Sequence, residues 1–158
     1  MGGVCPDVFS KRTEYMEYQT RLQILKEEIY FQAATSLSLK DNKDIIILLD
    51  RGIMDIKAYM SELEFDEMLC RLGLSDNKVL ARYSAVFYLP STAIDAPLFY
   101  NNLNNVIRRE TINEVALLDK KIQRSWINHD NYIKIDKYKD FDTKINRLIE
   151  LVKLFLDN

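Results

Sequence analysis

Ile45-Ile46-Ile47-Leu48-Leu49-Asp50-Arg51-Gly52, followed by Asp55, Ala58 and Tyr59, governs the reading of this chain. Five aliphatic residues run without alternation into an acid, a base and a glycine. Preceded by the polar stretch Lys40-Asp41-Asn42-Lys43-Asp44, the run predicts a strand over Ile45–Asp50 buried on both faces. Such strands belong to parallel sheets covered by helices, where ligands sit beyond the carboxyl ends of the strands. Asp50 and Arg51 would stand at that edge, with Gly52 allowing a sharp turn. A carboxylate there can hold a magnesium ion, directly or through water, or accept a proton from a hydroxyl nucleophile. The alternative is an acid that only caps the helix that follows.

The phosphate cradle that usually accompanies such a strand has no counterpart in these residues. There is no G-x-x-x-x-G-K-[ST] stretch, and the four glycines are Gly2, Gly3, Gly52 and Gly73. A strand-end Asp-Arg-Gly without a cradle suggests part of a kinase-like fold. At 158 residues the chain is read as a single domain of ordinary globular composition, 47% hydrophobic and 29% charged. A formal charge of −2 argues against broad nonspecific nucleic-acid binding. Cys5 and Cys70 are too few for a disulfide framework and fit a reducing compartment. No apolar run approaches the roughly 20 residues that span a bilayer. No basic-then-apolar leader opens the chain, so a cytoplasmic protein is expected.

Helical and strand signals alternate along the sequence. A long helix is expected from near Ser10 to about Leu39, with Tyr15, Tyr18, Leu22, Leu25 and Ile29 as one apolar stripe. After Ile45–Asp50 comes a short helical turn carrying Asp55 and Tyr59. Ser61-x-x-Glu64 is a capping box opening a helix with Phe65, Met68, Leu69 and Leu72 inward and Gly73 at its end. A second strand is expected at Tyr83–Leu89, stopped by Pro90. Asp95 and Pro97 can start a helix with Phe99, Leu103 and Val106 on one side. Thr111-x-x-Glu114 caps the next helix, whose stripe is Val115, Leu118, Ile122 and Trp126. A short strand fits Tyr132–Ile135, and a helix from about Phe141 closes the chain. This alternation predicts an α/β layer fold with a mainly parallel sheet.

Between the later strands, Asn104, Asn105, Arg108, Arg109 and Glu110 precede the capped helix, which carries Lys120, Lys121 and Arg124. Arginines from such a segment can stabilise charge on a transferred phosphoryl group, because the planar guanidinium grips two oxygens at once. The alternative is a solvent-facing pair balancing Glu110 and Glu114. His129, the sole histidine, has no second His or Cys at metal spacing and is read as a structural, hydrogen-bonded side chain. The nine tyrosines form no basic, aromatic-interleaved stripe, so no nucleic-acid partner is expected.

These residues carry a resemblance. Leu49-Asp50-Arg51-Gly52, Asp55, Ala58-Tyr59-Met60 and Tyr83-x-Ala85-Val86-Phe87 match in order and approximate spacing, as do Phe99-Tyr100, Asn104-Asn105, Arg108, Glu110-Thr111, Leu118-Asp119, Trp126, His129, Ile135-Asp136 and Phe141. The chain resembles the AAA-type P-loop NTPase family that includes bacterial ribosylnicotinamide kinase and an animal photoreceptor-channel translocation-defect protein. The resemblance implies a three-layer P-loop kinase-like fold with a lid-like helical segment at about 95–127. It implies binding of ATP or GTP with Mg2+ and phosphoryl transfer to a small nucleoside-like acceptor. It makes Asp50 the acid near magnesium or the acceptor hydroxyl, Arg51 its cationic neighbour and Arg108 a lid arginine. Arg109, which has no clear counterpart in the family pattern, and Arg124 fall in the same lid segment. Arg21 and Gln23 resemble acceptor-side residues of related kinases.

The departure from the family lies at the start of the pattern. Members open with a strand, the Gly-rich loop, a helix and a second strand, and this sequence matches only from the next loop, at Gly2-Gly3. The chain is therefore expected to be a fragment of the family domain, or else a degenerate relative, and inactive alone. In the kinase-like order the first strand lies between the Asp-Arg-Gly strand and Tyr83–Leu89. Without it the expectation is direct pairing of those strands, a strand supplied by a partner or second copy, or poor stability. A different class also fits: a noncatalytic nucleotide-responsive or protein-interaction module that keeps the Asp-Arg-Gly architecture as scaffold.

Overall fold

A computed structural model describes residues 12–91, 112–135, 138 and 140–157. The chain divides into two compact units, Gly3–Val79 and Leu80–Asn158. The first is helical: α1 (Arg12–Asp41), a 3-10 helix (Ile53–Tyr59), α2 (Glu62–Arg71) and α3 (Asp76–Leu80). The second holds β1 (Val86–Tyr88), α4 (Ile112–Trp126), β2 (Tyr132–Lys134) and α5 (Phe141–Leu156). The coarse class is α/β, mostly helical, with one small parallel sheet among the described residues.

In the first unit the core is Ile53, Met54, Ala58, Phe65, Met68, Leu69 and Val79. α2 starts as its capping box dictates. Ser61 Oγ accepts the Glu64 N–H (3.3 Å), and the Ser61 N–H donates to Glu64 Oε2 (2.9 Å). The Ser61 hydroxyl, donating to Glu64 Oε2 at 2.7 Å, then the Ser61 N–H and Thr13 hold the Glu64 carboxyl below its ordinary range. At the other end Gly73 takes φ +71, and the Leu74 N–H returns to Leu69 O at 2.9 Å, closing the helix. Phe65, Met68 and Leu69 point inward as the spacing predicts, while Leu72 is only half-buried. α1 leans on this core with a polar face. Thr20 is fully buried, its Oγ1 bonding Met16 O (2.8 Å) and Met68 Sδ (3.4 Å), and Glu27 is buried one stripe further on.

Two expectations for this unit are corrected. Ile45–Asp50 is not a strand: it is extended chain, and no backbone hydrogen bond forms from residues 44–50 to any described residue. Nor is it buried, since Ile46 is 55% and Leu48 78% exposed. A strand exists only through its ladder, and no neighbouring strand among the described residues supplies one. The stripe Tyr18, Leu22, Leu25 and Ile29 is likewise exposed rather than packed inward. Its period is right, but the side of α1 that meets the core is the opposite one.

In the second unit β1 and β2 pair in parallel, with Val86 opposite Tyr132, Phe87 opposite Ile133 and Tyr88 opposite Lys134. Both strands fall inside the predicted Tyr83–Leu89 and Tyr132–Ile135 and are shorter. Phe87 meets Phe155 of α5 edge-on at 6.2 Å, and Tyr83 meets Trp126 of α4 at 5.0 Å. His129 has a structural place: its Nδ1 accepts the Asn131 N–H (3.0 Å), so the proton sits on Nε2, which donates to Tyr83 O (2.8 Å). The Asp140 carboxylate caps α5 by accepting the Thr143 N–H at 2.8 Å, which lowers its pKa. The helix expected from Asp95 to Val106, Thr111 of the second capping box, Arg108 and Arg109 lie outside the described residues.

Candidate functional site

The Asp50-Arg51-Gly52 turn is built by residues on either side of it. Arg51 adopts φ +73, the left-handed region where a Cβ meets the following carbonyl. Two contacts hold it there. The buried Gly52 N–H donates to Asp55 Oδ2 (2.7 Å), and the Asp55 N–H returns to Gly52 O (3.2 Å), so the loop closes on itself and enters the 3-10 helix. From α1, Gln23 Nε2 donates to Arg51 O (3.4 Å) while also reaching Glu27 Oε1 (2.9 Å). The Asp55 carboxylate adds an ion pair with the Arg51 guanidinium at 3.6 Å.

Asp50 and Arg51, whose side chain is 64% exposed, both stand open to solvent at the end of the aliphatic run, with the guanidinium turned to Asp55. A strained non-glycine conformation held by its surroundings is the kind of cost that functional sites carry. An exposed carboxylate can accept a proton, and an exposed guanidinium can grip an anion. Magnesium bound with nucleotide commonly takes one or two carboxylates plus phosphate oxygens, and Asp50 can supply one. Asp55 is engaged by Gly52 and Arg51. Among the described residues no three His, Cys, Asp or Glu side chains gather as a metal-holding group.

Of the two acceptor-side residues predicted on α1, Gln23 touches this turn. Arg21 does not: two residues away on a helix it projects roughly 200° around the axis. It pairs instead with Glu17 at 2.8 Å, and Glu17 also holds Arg71 of α2 at 2.9 Å. Hydrogen bonds from Arg21 and then Arg71 lower the Glu17 pKa. Arg124 is exposed on α4 of the second unit.

A second polar cluster, which the sequence reading missed, sits at the carboxyl end of β1. The Tyr88 hydroxyl donates to the Asp119 carboxylate, whose other oxygen accepts the Ser91 N–H at 3.2 Å. Buried Lys144 donates to Pro90 O. Tyr88 stacks on Tyr132, whose phenol is pushed up to about 12, first by burial and then by the Asp119 charge. These bonds tie the chain leaving β1 to α4 and α5. The signal available was Asp119 and Lys144 placed among apolar helical residues, where a charge requires a partner.

No helix among the described residues is long and apolar enough to cross a membrane. No protein-family model, no curated protein and no solved structure matches this chain.

Proposed function

We propose that this chain is a kinase-like P-loop protein that binds ATP or GTP with Mg2+ and, in the intact protein, takes part in phosphoryl transfer to a small acceptor. The reading rests on the left-handed Arg51, flanked by the Gly52–Asp55 bond and by Gln23, with the Asp50 and Arg51 side chains both exposed at the turn. In this reading Asp50 orients the acceptor hydroxyl or ligates the magnesium that a nucleotide brings. Arg51 balances phosphate charge, Gln23 fixes the turn, and Arg108, with Arg109 and Arg124, belongs to the lid. Bound magnesium would neutralise phosphate charge. The chain's own residues supply position and a proton acceptor.

Without a Gly-rich loop, these residues alone position phosphates poorly, so weak nucleotide binding and negligible transfer are expected of them. The test is calorimetric titration of ATP and GTP, with and without Mg2+, into this chain and into a version extended upstream by a Gly-rich loop and its strand. Mg2+-dependent binding by the extended form, weakened by Asp50→Asn and Arg51→Ala, supports the reading. Absence of binding in both forms overturns it, and submicromolar binding by the 158-residue chain overturns the role given to the missing loop.

A noncatalytic interaction module is the second reading. Its support is the run Ile45–Leu49, exposed from Ile45 to Leu48 and making no backbone hydrogen bond to a described residue, a ready template for another strand.

A further inference from the structure

We infer that α1 joins two copies of this chain as a short antiparallel coiled-coil seam. The starting point is the spacing of Tyr15, Tyr18, Leu22, Leu25 and Ile29, which alternates three and four residues as the a and d positions of two heptads. Tyr18, Leu22, Leu25 and Ile29 are between 41 and 57% exposed. On the other side of α1, Thr20, Gln23 and Glu27 meet the unit's core and the Arg51 turn. The seam thus lies on the side of the helix away from Thr20, Gln23 and Glu27 and the residues they meet. Contiguous apolar stripes of this kind mark contact surfaces.

The charges flanking the seam select its occupant. Taking Tyr15, Leu22 and Ile29 as a positions, Arg21 and Glu28 fall at g, and Gln19 and Lys26 at e. In a parallel pair g meets e, which sets Arg21 against Lys26 of the second copy, twice. In an antiparallel pair g meets g and e meets e. Arg21 then meets Glu28 of the second copy, and Gln19 meets Lys26 of the second copy, each twice by the two-fold axis. The apolar layers close in the same register: Leu22 on Leu25 of the second copy, and Tyr18 on Ile29 of the second copy. One register therefore satisfies both the apolar layers and the charges, and it is self-complementary, as a two-fold interface requires.

Arg21 is exposed, and its present partner Glu17 keeps Arg71 when Arg21 turns outward. Beyond Ile29 the next a and d positions are Gln32 and Ser36, so the seam ends after four layers. That length, roughly 17 Å of helix, makes a small contact of the reversible class.

The test is sedimentation equilibrium of the full chain at concentrations on the order of 100 µM, with circular dichroism confirming that each variant keeps its helix content. The expected result is a concentration-dependent dimer. Arg21→Glu alone and Glu28→Arg alone each weaken it on the order of tenfold, and the double variant recovers it. Leu25→Glu abolishes it. A monomer at that concentration overturns the inference. So does a dimer that ignores both charge reversals, as pairing through Ile45–Leu49 would give, or one that Arg21→Glu tightens, as a parallel seam would.

Discussion

Replacing Asp55 by alanine should undo the turn that presents Asp50 and Arg51. The substitution leaves the Gly52 N–H, buried and donating at 2.7 Å to a carboxylate, with no acceptor. A buried donor orphaned in this way costs about 1–3 kcal/mol. The ion pair to Arg51 adds little, since the guanidinium is 64% exposed and the contact is 3.6 Å long. Arg51, released from part of what keeps it at φ +73, can recover some of the about 1–2 kcal/mol that this conformation costs a residue with a Cβ. The net is a loss of about 2 kcal/mol. Asp55→Asn keeps an oxygen for the Gly52 N–H and should cost about 1 kcal/mol. Urea unfolding followed at 222 nm reads the stability, and amide exchange of Gly52 reads the bond itself. With a slope near 2 kcal/mol/M, Asp55→Ala should lower the midpoint by about 1 M. Trp126, in the second unit, serves as an internal control for a local effect. A midpoint shift below about 0.25 M, with Gly52 still protected from exchange, would refute the account of the turn.

Two further outcomes are expected. The Glu17 carboxyl is lowered from 4.5 by Arg21 and Arg71, so it holds fewer protons folded than unfolded. Its stabilising effect is therefore present above about pH 4.5 and lost as pH falls through the lowered folded value. Thermal melts between pH 7 and 3 should show a steeper acid loss for the natural chain than for Glu17→Gln, and parallel curves would count against the Glu17–Arg71 tie. His129→Ala removes both ring hydrogen bonds, to Tyr83 O and from the Asn131 N–H, at about 1–3 kcal/mol. Because the His129 N–H also bonds Trp126 O, tryptophan fluorescence should report that loss in a urea titration, and an unmoved transition would contradict the structural role.

What was legible in the sequence was local. Ser61 and Glu64 satisfy each other within one turn, and Gly73 supplies a left-handed residue where the helix must stop, so both signals needed no knowledge of the rest of the chain. The strands around Phe87 and Ile133 were located because short apolar runs between turn signals are also local. What failed was relational. Ile45–Leu49 has the composition of a central strand, but a strand is a property of a pair, and these residues have no partner among those described. The period of α1 announced a stripe without saying which side would be covered, and Thr20, Gln23 and Glu27 on the other side meet the rest of the unit. Asp55 lay in between: Gly52-x-x-Asp55 has the spacing of a cap, and the same rule that found Ser61-x-x-Glu64 points to it.

The two failures have one physical root, and it separates the contacts the chain invites. Fully burying one Leu or Ile side chain contributes about 1.5–3 kcal/mol, and both the stripe of α1 and the run before Asp50 leave that contribution unrealised within the first unit. They differ in what would realise it. The stripe lies on a helix whose backbone bonds are already made, so it needs only a complementary apolar face, and its flanking charges describe that face. The run makes no backbone hydrogen bond to a described residue and carries apolar side chains as well, so another helix cannot satisfy it and an added strand can. A second copy joined along α1 therefore leaves the ladder beside Asp50 open. Arg51 is anchored from the Gly52–Asp55 side and from Gln23, while the chain entering the turn makes no backbone bond to a described residue. On this reasoning the helix seam sets the assembly, and a strand laid along Ile45–Leu49 sets the precision with which Asp50 is held.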